Sequence, residues 1–244
     1  TEAENWFLSE LRGRYDVILK FIARHPGCSN GDIETHVREI SPTTAEQAGG
    51  YLKILIERYQ MIERRLPILS PPKARRGRYY IRDNFLRSWL AALQTPVSAI
   101  SFRPIDVLVG QADARLSDAE GAGLERLVAH LYEERSRRSL GDFALTHRIE
   151  GYWDRSDVEI DLVALDDEAG IIRFGTCKRN AERLPASIIE LRSHVERFVK
   201  AHPKYRTWRQ ELVAIAPRID ESLRATVAEL GALPQDLTDL THDL

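Results

Sequence analysis

The sequence predicts an α+β protein built from two domains, and three observations carry that expectation. The 244 residues exceed a single small module but fall short of three domains at roughly 100–200 residues each. Apolar residues recur at helical spacing through the first 60 positions and are then replaced by short extended runs around a basic loop. From residue 121 the order of periodicities is helix, three strands, helix, strand, which builds an α/β sandwich.

In the first half, Tyr15, Val17, Ile18, Leu19, Phe21 and Ile22 form a helical stripe that ends at His25-Pro26-Gly27. Ser29 or Asn30 caps a short second helix that holds Ile33 and Val37, with Asp32 near its positive end. Ser41-Pro42 reads as the N-cap and first position of a third helix. That helix runs to about Tyr59 and buries Ala45, Ala48, Leu52, Leu55 and Ile56, with Gly49-Gly50 as a weak point. Met61-Ile62, Ile68-Leu69 and Tyr79-Tyr80-Ile81 then supply a β-hairpin, with Pro71-Pro72 and the basic run 73–78 in its loop. Three short helices followed by a basic hairpin is winged-helix order. In that arrangement Thr43, Thr44 and Gln47 of the third helix are the candidates for base contact, and Lys73, Arg75, Arg76 and Arg78 for phosphate. Asn84 is expected to cap a helix holding Phe85, Leu86, Trp89, Leu90 and Leu93. The domain boundaries that follow are 1–93, a partly helical connector 94–120, and 121–244.

Charge supports DNA as a partner of the first half. Residues 1–90 carry fifteen Lys/Arg against eleven Asp/Glu, whereas the remainder carries twenty against twenty-six. Between Arg58 and Arg82 eight bases face the single acid Glu63. A local excess of that size suits a polyanion, although a solvated hairpin without a partner has the same composition. No run of about 18 apolar residues occurs, which excludes a membrane-spanning helix. Cys28 and Cys177 are the only cysteines, so a disulfide scaffold and a four-cysteine zinc site are excluded, and a reducing cytoplasm is the expected compartment. His25, Cys28 and His36 have no metal-ligand spacing.

In the second half, 121–138 is an amphipathic helix with Leu124, Leu127, Val128, His130 and Leu131 near one face and Glu125 beside it. Ala144–Ile149 alternates like a strand, Val158–Leu165 is a strong strand, 166–170 is a turn, and Ile171–Cys177 is the returning strand. A helix over 185–200, a strand over 212–216, a helix over 220–230 and an edge strand over 233–240 complete the reading. Glu159 and Asp161 share a face, as do Thr176 and Lys178, so pairing of the two strands brings two carboxylates to a lysine, with Glu125 reaching in from the helix. Clustered carboxylates bind Mg²⁺ or Mn²⁺, and a neighbouring lysine orients water or offsets charge on a phosphorane-like transition state. An ordinary surface salt bridge on a hairpin has the same spacing. Cys177 points to the opposite face, and Tyr152 and Trp153 fit packing at a hairpin end.

The segments Tyr152-Trp153-Asp154-Arg155, Glu159-Ile160-Asp161-Leu162-Val163-Ala164-Leu165 and Phe174-Gly175-Thr176-Cys177-Lys178 together resemble the PD-(D/E)XK, restriction-endonuclease-like core. The order of motifs, including 77–90 and Gly123-Leu124-Glu125-Arg126-Leu127-Val128, is similar to the C-terminal region of prokaryotic (archaeal-type) DEXX-box P-loop ATPases. There a winged helix precedes a nuclease-like domain. The resemblance implies that Asp161 is a metal-binding aspartate, Lys178 the catalytic lysine and Glu125 the helix-borne acid. It also calls for an acid two residues before Lys178, where this chain has Thr176. Glu159 is the candidate substitute ligand; otherwise the fold is a degenerate nuclease that binds without cutting. No G-x-x-x-x-G-K-[ST] loop occurs, so the chain has no nucleotide site of that type. With the start at Thr1, the resemblance implies an ATPase domain upstream; a free-standing relative is the alternative. Three functions stand: a DNA-associated region of an ATPase-family protein, an active metal-dependent nuclease, and a protein-interaction module that does not bind DNA.

Overall fold

The computed structural model describes residues 13–40, 48–119, 121–155 and 157–244. Helix and sheet are mixed, as an α+β chain requires, and the chain divides into two compact units. One comprises residues 1–66 and 73–120; the other comprises 67–72 and 121–244.

The first unit holds α1 (Arg14–Arg24), β1 (Cys28–Ser29), α2 (Asn30–Ile40), α3 (Ala48–Glu57), β2 (Ile62–Arg65) and β3 (Arg78–Ile81). Ser29 and Asp32 close the start of α2 reciprocally: Asp32 Oδ2 accepts from Ser29 N at 2.8 Å, and Ser29 Oγ accepts from Asp32 N at 3.2 Å. Ile18, Leu19 and Ile22 of α1 meet Ile33 and Val37 of α2, Leu52 and Leu55 of α3, and Ile62, Tyr79 and Ile81 of the sheet. Burying these side chains is the main source of stability in so small a unit. The sheet order is β1-β3-β2 and all pairings are antiparallel. The sequence suggested Ile68-Leu69 as part of the extended structure. Instead they lie in the hairpin loop, and Leu69 has φ 64°, which a strand does not accommodate. The next helix, α4 (Asn84–Ser88), is capped by Asp83 rather than Asn84: Asp83 Oδ1 accepts from Leu86 N at 2.6 Å. It continues through a π-helical turn, Trp89–Leu93, into α5 (Gln94–Ser98), and α6 (Ile105–Ala119) follows. Residues 94–119 thus count with the first unit.

The second unit holds α7 (Gly121–Arg137), β4 (Glu150–Trp153), β5 (Glu159–Asp166), β6 (Ile171–Cys177), α8 (Leu184–Ala201), β7 (Arg209–Ala216), α9 (Glu221–Glu229), β8 (Leu233–Asp236) and α10 (Leu237–Thr241). The five strands lie in the order β4-β5-β6-β7-β8, antiparallel up to β6 and parallel from β6 to β8. Val163, Leu165, Ile172 and Phe174 pack on Leu191, Val195 and Phe198 of α8, and Ile68 joins that core. Leu162, Ala164, Cys177, Val213 and Ile215 pack on Leu124, Val128 and Leu131 of α7. Successive strand residues thus alternate between two helical layers.

Two expectations are corrected here. Ala144–Ile149 forms no strand; Thr146 N and Oγ1 both donate to Leu165 O of β5, at 2.9 and 3.0 Å, and Leu145 and Ile149 share an apolar cluster with Leu162 and Ala164. Strand β4 begins at Glu150 instead. The expected edge strand over 233–240 stops at Asp236, because that side chain caps α10 by accepting from Thr238 N and Asp239 N. The strand-like alternation of 237–240 is overridden by this capping box, which leaves Leu240 buried on a helix.

Candidate functional site

The pairing of β5 with β6 positions the acidic site. Leu162 lies opposite Gly175, and the same register carried one step further sets Asp161 beside Thr176. Gly175 within β6 and Gly151 within β4 stand at close approaches to β5. A Cβ on Gly175 would stand 3.2 Å from Leu162 Cβ, and one on Gly151 3.2 Å from the carbonyl oxygens of Ile160 and Asp161. Gly151 also sits where β4 changes register, between Glu150 and Tyr152. The end of β6 is held by Lys178 N, which donates to Ile215 O at 2.8 Å.

Three donors converge on one oxygen of Asp161. Oδ2 accepts from Cys177 N at 2.7 Å, from Thr176 Oγ1 at 3.1 Å and from Lys178 Nζ at 3.3 Å. The Asp161 side chain is 14% exposed and that of Lys178 32%. Thr176, standing where an acid was expected, therefore acts as a donor. A second carboxylate there would repel Asp161; a hydroxyl satisfies it.

Glu125, Glu159, Asp161, Thr176 and Lys178 line one cavity of about 280 Å³. This brings together all four residues expected at the acidic site. The sequence reading missed the contribution of α8, which adds Ser187, Glu190 and His194 to the same cavity. These fall at i, i+3 and i+7, one face of a helix, and that spacing was the available signal. His194 Nδ1 lies 2.5 Å from Glu159 O and 3.4 Å from Glu159 N, which ties the start of β5 to α8. As a test of fit for Mg²⁺ or Mn²⁺, no group of three or more His, Cys, Asp or Glu side chains among the described residues is arranged to hold an ion. Behind the site, Cys177 faces α7. Burial pushes its thiol well above the ordinary value, and the Asp161 and Glu125 charges add to that.

The second cluster lies on the hairpin of β2 and β3. Glu63 pairs with Tyr80 and Arg65 with Arg78, so these four share the outer face while Tyr79 and Ile81 turn inward. The Arg65 guanidinium stacks 4.6 Å from the Tyr80 ring centre. It also donates to Glu63 Oε1 through Nε at 2.9 Å and through Nη2. Arg64 donates to Ala74 O, which ties down the loop. Lys73 and Arg75 are exposed; Arg76 and Arg78 are half-buried. Thr43, Thr44 and Gln47 lie outside the described residues.

Other singled-out residues pack. Tyr152 and Trp153 are buried, the Tyr152 ring meeting Phe198 edge-on at 4.7 Å. His25 and His36 both lie against Phe21, at 4.7 and 4.4 Å between ring centres. Among the described residues no helix is long and apolar enough to cross a membrane.

No family model matches the chain, and no solved structure matches it. Over 117 residues, 48% of the chain, it is 34% identical to the uncharacterized protein MJECL04 of Methanocaldococcus jannaschii. The chain spans about a quarter (26%) of the length of that relative.

Proposed function

We propose that this chain is a DNA-associated region of a P-loop ATPase-family protein, in which a winged helix contacts duplex DNA and a nuclease-like fold is catalytically weakened. The order β1-β3-β2 beneath three helices supports the winged-helix reading. The mixed five-stranded sheet between α7 and α8, with Asp161 and Lys178 at adjoining strand ends, supports the nuclease-like one. The observation that carries the weakened state is the lock on Asp161. Every donor recorded for it lands on Oδ2, and one of them is the hydroxyl that stands in for an acid. Thr176 supplies a hydroxyl where an acid would add a negative charge and a strong Mg²⁺ ligand, so the site has fewer carboxylates with which to hold a cation. An ATPase domain is the expected covalent or associated partner.

The test is incubation of the chain with linear duplex DNA in Mg²⁺ or Mn²⁺, read both by gel shift and by product formation. Retardation without cleavage is expected. Cleavage lost in both Asp161→Ala and Lys178→Ala would instead establish an active nuclease. That second reading is favoured by one observation, the single cavity shared by Glu125, Glu159, Asp161 and Lys178. Absence of retardation at low salt would leave the protein-interaction reading.

A further inference from the structure

We infer that the outer face of the β2–β3 hairpin, rather than the third helix, is the principal nucleic-acid contact of the first unit, and that it takes duplex phosphates without regard to sequence. The inference rests on the proposed DNA association and says which surface carries it. Charge separates the two candidates. Residues 41–57, which contain α3, carry Glu46, Lys53 and Glu57, a net charge of −1 with no arginine. The one base there is partly offset, since Lys53 Nζ lies 3.9 Å from Glu57. Residues 62–81 carry Arg64, Arg65, Lys73, Arg75, Arg76 and Arg78 against Glu63, a net of +5. The first helix of the pair, α2, adds Asp32, Glu34 and Glu39 against Arg38, so the helical side approaches a polyanion at a disadvantage.

Geometry makes the hairpin a prepared surface. Glu63 takes two of the five N–H donors of Arg65 and holds the guanidinium over the Tyr80 ring. Three donors remain in a fixed plane, so little side-chain entropy is lost when a phosphate is bound. Arg78 stands directly across the pair from Arg65 on the same face. Arg75 and Lys73 extend the positive surface along the exposed loop. A surface of guanidinium and ammonium groups on a hairpin suits phosphate oxygens, contacts that position a duplex without carrying its sequence.

The experiment is fluorescence anisotropy of the full chain with two duplexes of unrelated sequence, over a range of salt concentrations. A triple variant, Arg65→Ala with Arg75→Ala and Arg78→Ala, is expected to lose affinity for both duplexes. Its slope of log affinity against log salt should be shallower by about 2–3, near 0.9 per phosphate contact removed. Gln47→Ala and Lys53→Ala should leave slope and affinity unchanged. Arg75→Ala alone, in an exposed loop, reports the effect should the triple variant fail to fold. Its slope should be shallower by about 1. A strong preference for one duplex that Gln47→Ala abolishes, with the arginine variants unchanged, would overturn the inference and leave DNA association standing. No binding by the unmodified chain at low salt would overturn the DNA reading itself.

Discussion

The Asp161 cluster and the Arg65 face hold charge in opposite ways. Asp161 is nearly buried, and its partners are all internal: an amide, a hydroxyl and an ammonium from one strand end. Arg65, with its side chain 26% exposed, is fixed by one carboxylate and one ring on the outer face of the hairpin. A charge satisfied within the fold is spent on stability, whereas a charge oriented but left wet is available to a partner. The difference separates what each region can do from the residue types alone, since both bring a carboxylate and a basic side chain together.

The largest expected effect concerns residues 67–72, which belong to the second unit with the Asp161 cluster. Ile68 lies in the hairpin loop yet is 7% exposed within the core of the second unit, and Ile68 N donates to Gly151 O at 2.9 Å. Ile68→Ala should destabilise that unit by ~2–4 kcal/mol in urea unfolding. A fragment of residues 121–244 should lose at least as much; equal stability of fragment and full chain would show the loop contact to be idle.

Next comes Asp161→Ala, which strands the Cys177 amide and the Lys178 ammonium. The expected loss is ~2 kcal/mol, below the 3–5 of a fully buried pair because Lys178 is a third exposed. Arg75→Ala, on the hairpin loop, should change stability by less than ~0.5 kcal/mol, and comparable losses for the two would erase the contrast drawn above. Thr176→Ala removes one donor to a charged acceptor, an expected ~1 kcal/mol. Thr176→Glu should be worse in metal-free buffer, and recovery of its melting temperature on adding Mn²⁺ would show that an acid at this position lets the cluster hold the ion.

The smallest effect is one of pH. Burial alone pushes the Asp236 carboxyl up. The amides of Asp239, Ile219 and Thr238, together with Arg224, outweigh burial and hold it below the usual range. A depressed carboxyl stabilises fully above its unfolded value, about 3.9, and that contribution fades as pH falls through the folded value. The stability difference between the unmodified chain and Asp236→Asn should therefore be constant from pH 7 to 5 and shrink below pH 4. A difference that grows on acidification would refute the assignment.

Much of this was legible in the sequence where a period and a partner coincide. Glu159/Asp161 and Thr176/Lys178 each step by two on strands joined by a short turn, so their meeting followed from spacing. Ala144–Ile149 has the same alternation but no ladder beside it, and alternation alone does not make a strand. Residues 237–240 failed for a local reason, the reciprocal cap of Asp236 and Asp239. Glu190 and His194 were missed because polar residues on an amphipathic helix read as its wet face. Only the tertiary packing of α8 on β5 shows that this face borders a cavity.

The sheet order also bears on how the molecule is made. β4, β5 and β6 are neighbours in sequence and in space, so they can zip together as soon as they leave the ribosome. β6 then waits with an open edge until α8 has been synthesised and β7 arrives to pair with it in parallel. During that interval the exposed strand is Ile171-Ile172-Arg173-Phe174, and Arg173 is the charge that interrupts it. In the finished fold Arg173 is 3% exposed, held by Asp142 at 2.9 Å and Glu211 at 2.8 Å. Glu211 belongs to β7 itself, so the charge in the middle of β6 is neutralised by the strand that closes its edge.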